Sequence, residues 1–124
     1  MSGARASAEA AALLRRAYEA FNARDVDAVV ALMRPDVDWP NAFEGGRVRG
    51  HDAVRAYWAR QFEQISPEVV PRGFAERPDG RTAVDVHQVV RSLDGEVLSE
   101  GDVVHVYALR DGLVERMDVE EPVD

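Results

Sequence analysis

The order in which helical and strand-like segments follow one another constrains this chain most. Between Ser7 and Trp58 it reads helix, helix, short strand, helix, and from Val69 onward it reads as strands alone, separated by glycine-containing turns. Helices gathered at one end and consecutive strands at the other predict an α+β domain in which the helices cover one face of a single sheet. At 124 residues the chain suits one domain with a core and a ligand-sized hollow, an ordered core over about residues 7–121, and no second folding unit.

The apolar residues Ala10, Leu13, Leu14, Ala17, Tyr18 and Phe21 recur at intervals of three and four, one face of a helix that Ser7 caps. Asp25 caps a shorter helix with the stripe Val26, Val29, Val30 and Met33, stopped by Pro35. Alternation over residues 36–41 sends Val37, Trp39 and Asn41 to one face and Asp36 and Asp38 to the other. A Gly45-Gly46 turn and Gly50 lead into a third helix, with His51 at its cap, Asp52 in its first turn, and Val54, Tyr57, Trp58, Gln61, Phe62 and Ile65 as its stripe; Pro67 closes it. Strands are predicted over residues 69–77, 82–93, 97–109 and 113–121, joined at Pro78-Asp79-Gly80, Asp94-Gly95 and Asp111-Gly112.

Composition removes several functions. With no cysteine there is neither a disulfide nor a thiolate ligand or nucleophile. All 15 basic residues are arginine, which rules out lysine Schiff bases. The net charge of -8, with arginines scattered along the chain, argues against nucleic-acid binding. No apolar run is long enough to span a bilayer, and no hydrophobic segment follows Met1, so a cytoplasmic protein without membrane contact is expected.

If Asp94-Gly95 is a two-residue turn, Leu93 opposes Glu96 and the pairing runs back to Val84 opposite His105. One face then carries Val84, Val86, Gln88 and Val90 against Val103, His105 and Tyr107; the other carries Asp85, His87 and Arg91 against Asp102 and Val104. The first is the buried face. A buried polar atom without a partner costs about 1–3 kcal/mol, so His105, Gln88 and Tyr107 require partners or a ligand. Burial disfavours imidazolium, leaving a neutral His105 able to accept or donate one proton. The same three residues also read as a hydrogen-bonded core triplet. On the outer face, His87 opposite Asp102 reads as a cross-strand ion pair, and Asp85, His87 and Asp102 lack a third nitrogen ligand nearby, so no metal is expected.

The segments Tyr18-Glu-Ala-Phe-Asn-Ala-Arg-Asp25, Val26-Asp-Ala-Val-Val-Ala-Leu32, Gly50-His-Asp-Ala-Val-Arg-Ala-Tyr-Trp58 and Asp111-Gly-Leu-Val-Glu-Arg-Met117 resemble the nuclear transport factor 2-like superfamily, in its SnoaL-like polyketide cyclase and ketosteroid isomerase-like branch. The likeness runs from about residue 7 to residue 120. It implies a cone: a curved antiparallel sheet packed on three N-terminal helices and enclosing a hydrophobic pocket, usually in a homodimer. Val89, Val104, Val106 and Ala108 would form the apolar dimer surface. By the same likeness the isomerase base position falls at Asn41, which cannot abstract a proton. The oxyanion tyrosine position falls at Ala17, about 100° around the helix from Tyr18; the protonated-acid position falls at His105 if one residue is gapped at the Asp111-Gly112 turn and at Val104 otherwise, and the inward face assignment favours His105.

The expected activity is that of a cofactor-independent isomerase, cyclase or dehydratase acting on a small apolar carbonyl compound. His105 would be the acid-base group, with Asn41 beside it at the reacting centre. Trp39, Gln88, Tyr107, Tyr57, Tyr18, Val86 and Met117 would line the ligand. The alternative is a non-catalytic ligand-binding or dimerising module of the same fold.

Overall fold

A computed structural model describes residues 7–41 and 45–122. Its elements are helices α1 (Ala8–Asn22), α2 (Val26–Val30) and α3 (His51–Gln64) and strands β1 (Met33–Pro40), β2 (Arg47–Arg49), β3 (Ser66–Glu76), β4 (Thr82–Arg91), β5 (Val97–Arg110) and β6 (Leu113–Glu120). The six strands form one curved, unclosed sheet in the order β2-β1-β6-β5-β4-β3. Every neighbouring pair is antiparallel except β1 and β6, which run parallel. Among the described residues no helix is long and apolar enough to cross a membrane.

The helix starts follow the expected capping chemistry. The Ser7 side chain accepts from the Ala10 amide at 3.0 Å and Asp25 from the Ala28 amide at 3.2 Å, each satisfying one donor that has no partner inside the helix. At α3 the cap is different. Gly50 takes the N-cap position at φ +88°, where a Cβ would be strained and would also meet the Pro35 carbonyl oxygen at 3.5 Å. His51 is therefore the first helical residue and not the cap, and its Nε2 lies 3.0 Å from the Met33 carbonyl oxygen.

Two predicted proline stops fall elsewhere. Helix α2 ends at Val30, so Met33 belongs to β1 and Pro35 lies inside that strand. Pro35 is tolerated because the β1–β6 register shifts between Met33 and Asp38, and a proline inside a sheet needs such an irregularity. Pro67 sits within β3, the edge strand, whose outer side pairs with no other strand among the described residues.

The β4–β5 hairpin reaches the predicted register by another route. Its loop has three residues, 93–95, closed by the Ser92 amide donating to Glu96 at 2.7 Å and the Gly95 amide to Ser92 at 3.0 Å. Leu93 does not oppose Glu96; it stands in the loop, 62% exposed. A bulge between the pairs Arg91–Val97 and Val90–Ser99 then restores the count, and Val84 pairs with His105 as expected. By contrast Asp111 and Gly112, at φ +54° and +77°, do form a two-residue turn between Arg110 and Leu113.

The core lies between α1, α3 and the inner sheet face. Leu14, Tyr18, Val54, Tyr57 and Trp58 pack against Val37, Val84, Val86, Tyr107 and Val114. The end of α1 is fastened to the sheet edge by Asn22, whose amide donates to the Val69 carbonyl (2.7 Å) and whose oxygen accepts from the Val69 N–H (3.0 Å). That side chain substitutes for a missing strand partner at the edge of β3.

Candidate functional site

Strand alternation turns two rows of side chains inward: Val84, His105 and Val119, and beside them Thr82, Tyr107 and Met117. Because the sheet curves and the helices bridge it, these rows enclose a cavity of about 310 Å³, at the lower end of the range for small-molecule pockets. Tyr18 and Phe21 of α1, Tyr57, Trp58 and Gln61 of α3, and Trp39 of β1 complete its wall. The rings interlock edge to face, with Trp39–Trp58 centroids 5.5 Å apart and Phe21–Trp58 centroids 5.3 Å apart. Val119 lines the cavity yet stays 51% exposed, which marks the rim.

Three polar groups at the buried end form one directed hydrogen-bond chain. The Tyr107 hydroxyl donates to the Tyr18 oxygen at 2.8 Å, and the Tyr18 hydroxyl lies 2.8 Å from His105 Nδ1. The direction follows from donor counting. Among the described residues Tyr107 has no acceptor other than Tyr18, so it must donate; Tyr18 then gives its single hydrogen to Nδ1, and the neutral ring carries its proton on Nε2. No other described group bonds Nε2, and it is not among the fully enclosed unpaired atoms, so this N–H opens to the cavity.

Burial tunes all three groups the same way. His105, 8% exposed, is pushed down from 6.5 to about 4 because no carboxylate compensates the lost hydration of an imidazolium. Burial likewise raises Tyr18 and Tyr107 above the ordinary phenol value. Near neutral pH the site is thus uncharged, and at the His105 end it offers one oriented N–H donor.

Of the residues singled out from the sequence, His105, Trp39, Gln88, Tyr107, Tyr57, Tyr18 and Met117 all line this cavity. Val86 is 1% exposed and packs in the core without lining it. Asn41 does not line it either. Residue 41 lies past the end of β1, where its N–H donates to Gly46 and its carbonyl accepts from Gly45, so it belongs to the β1–β2 turn.

The partner of His105 is Tyr18, not Gln88. The helix stripe placed Tyr18 in the core, but no local signal says which strand residue a helical hydroxyl will meet. Phe21, Trp58, Gln61, Val69 and Val119 were not named as lining residues, although the stripes of α1 and α3 already carried the first three.

The outer sheet face is organised by charge. His87 bonds Asp102 through Nδ1 and Glu100 through Nε2, both at 2.8 Å, and these contacts raise its pKa above 6.5. Asp38, 7% exposed, is held by Arg47, Arg49 and Arg116, and Asp118 by Arg47 and Arg116. The arginines scattered in sequence are therefore gathered in space. Arg77, one residue past β3, forms a two-pronged ion pair with Glu120 of β6 at 2.8 and 2.9 Å. With β4 and β5 between them, this pair reaches across the face that carries Ala83, Val104 and Val106. Val89, Val104 and Val106 are buried within the single chain and are not the exposed apolar surface expected of them. Among the described residues no cluster of His, Asp and Glu suits a metal ion.

No curated protein matches the chain. Among solved structures it is similar to TerC, co-crystallized with polyporic acid, at 28% identity and a TM-score of 0.79 over 93% of this chain and 92% of TerC. A nuclear transport factor 2-like protein of unknown function from Burkholderia pseudomallei is 26% identical with a TM-score of 0.80, over 94% and 92% of the two chains. The likeness to Rv0760c from Mycobacterium tuberculosis, solved in complex with estradiol-17beta-hemisuccinate, is one of fold: 20% identity and a TM-score of 0.77 over 95% and 97% of the chains. Residues 14–117 match the family model of the SnoaL-like domain. With helices, sheet and enclosed cavity in the same arrangement, this chain belongs to the SnoaL-like domain family.

Proposed function

We propose that the chain takes a small, largely apolar carbonyl compound into the cavity and closes or rearranges it without a cofactor, the carbonyl oxygen resting on the Nε2–H of His105. The observation that carries this reading is the Tyr107–Tyr18–His105 hydrogen-bond chain, which by donor counting leaves the Nε2–H of His105 facing a largely apolar cavity. Such a donor is aligned before the ligand arrives and acts in a low-dielectric chamber, so it favours the state in which the oxygen gathers negative charge. Support also comes from TerC and Rv0760c, both solved with small organic molecules.

Within that reading, cyclase-type chemistry fits best. No carboxylate lines the cavity among the described residues, and an imidazole held near pKa 4 is a weak base at neutral pH. Removal of a proton from an unactivated carbon, as in an isomerase with an Asp base, has no obvious agent here. Attack of a substrate's own enol carbon on its carbonyl carbon forms the C–C bond as the carbonyl π bond breaks, the enol proton ending on the new alkoxide; it needs chiefly a fold-imposed conformation and a donor at that oxygen. The second reading, a binding module without turnover, is favoured by one observation: both tyrosine hydroxyls are consumed within the protein.

The reading is tested with 4-acetylbiphenyl and its deoxygenated analogue 4-ethylbiphenyl, titrated by calorimetry. The ketone should bind the wild type about tenfold more tightly, the effect of one good buried hydrogen bond, and His105→Phe should erase that difference. An undiminished preference in the variant would sink the role given to His105. Cyclisation of a linear poly-β-ketone probe, followed by mass spectrometry and NMR, separates the enzyme from the binder.

A further inference from the structure

The cavity has a second polar end that the chemistry at His105 leaves unused. Gln88 lines it from β4 and Gln61 from the last turn of α3, and neither carboxamide has a hydrogen-bond partner among the described residues. Gln88 pairs with Val69 and Gly101, whereas His105 pairs with Val84. Four residues of β4 separate the two rows, about 13 Å at 3.3 Å per residue. Chain continuity brings Gln61 toward the same end: α3 runs out through Ile65 into Pro67 and Val69, and both of these also line the cavity. The rest of the wall is aromatic and aliphatic, from Trp39 and Trp58 to Val29 and Met117.

An amide lining a cavity offers an incoming ligand both a donor and an acceptor. We infer that the preferred occupant is an elongated molecule with a hydroxyl group at the end remote from its carbonyl, and that Gln88, assisted by Gln61, is the specificity-determining residue that reads that hydroxyl. The inference deepens the function proposed above and rests on its placement of the carbonyl at His105. It distinguishes this chain's ligand from a merely apolar ketone: the body must be rigid and long enough to touch both ends at once, which makes the second contact intramolecular in effect.

The test compares 4-acetylbiphenyl with 4-acetyl-4′-hydroxybiphenyl on the wild type, Gln88→Leu, Gln61→Leu and His105→Phe, with circular dichroism confirming the fold of each variant. The hydroxyl should tighten wild-type binding about tenfold. The gain should vanish in Gln88→Leu and shrink in Gln61→Leu, while the parent ketone binds Gln88→Leu at least as well as the wild type. A hydroxyl that adds nothing, or a gain that survives in Gln88→Leu, overturns the second anchor and leaves the carbonyl contact standing. A gain lost in Gln88→Leu alongside a carbonyl preference indifferent to His105→Phe supports the anchor and removes the His105 reading instead. If neither ketone binds the wild type, both fall.

Discussion

Two histidines on neighbouring strands of one sheet live in opposite electrostatic worlds. His105 of β5 faces the cavity, gives its Nδ1 to a tyrosine and is pushed down to about 4 by burial. His87 of β4 faces outward, bonds a carboxylate through each nitrogen, and is raised above its ordinary value by Asp102 first and Glu100 second. The difference is one of strand parity: each residue's side chain emerges on the face that alternation assigns it, and the face decides the charge. The inner face is built to keep groups neutral, the outer to keep them paired.

The sharpest break of this contrast is Tyr18→Phe. It removes the hydroxyl that both accepts from Tyr107 and donates to His105, leaving two buried groups unmatched, and should lower unfolding free energy by about 2–4 kcal/mol. Tyr107→Phe removes only the terminal donor and should cost about 1 kcal/mol. Equal losses in chemical denaturation would contradict the direction assigned to the chain.

Acid titration comes next. The folded pKa of His105 lies below its unfolded value, so its contribution is complete above pH 6.5 and is lost as pH falls toward about 4. That difference is worth at most about 3 kcal/mol. His105→Gln should flatten the acid limb of a stability-versus-pH curve; an unchanged limb would mean the imidazole is not held neutral.

Asp38→Asn removes the negative centre among three arginines. Because those arginines are partly exposed, the expected loss is about 1–2 kcal/mol, smaller than for a fully buried pair, and it should diminish at high salt. A loss indifferent to salt would point to packing and not charge. The smallest effect belongs to His87→Gln, and its sign is opposite to that of His105. A raised pKa stabilises the fold below pH 6.5, and this contribution is lost as pH rises through the raised value. Wild type and His87→Gln should therefore diverge at low pH and converge at high pH in paired thermal melts. Divergence on the alkaline side would reverse the assignment.

Much of this molecule was legible before any coordinates, for reasons that differ by element. Helix caps and glycine turns are short-range chemistry, so Ser7, Asp25 and Asp111-Gly112 announce themselves. Pro35 and Pro67 misled because proline breaks a helix but is also accepted at sheet edges and irregularities, and only the partner strand reveals which applies. Asn41 was drawn into the site by extending an alternation one residue past the point where β1 turns. The outer valines looked like a dimer surface because sequence spacing cannot show that the folded chain itself buries them.

By itself, then, the amino-acid order determined the sequence of elements, the hairpin pairing and the inward face of His105, since each depends on periodicities of a few residues. The tertiary structure alone decided that the imidazole meets Tyr18, 87 residues away, that β1 runs parallel to β6, and that Asp38 gathers its arginines. Those outcomes depend on which faces of remote elements meet when a curved sheet closes over its helices, and pairing across such distances leaves no local trace in the chain.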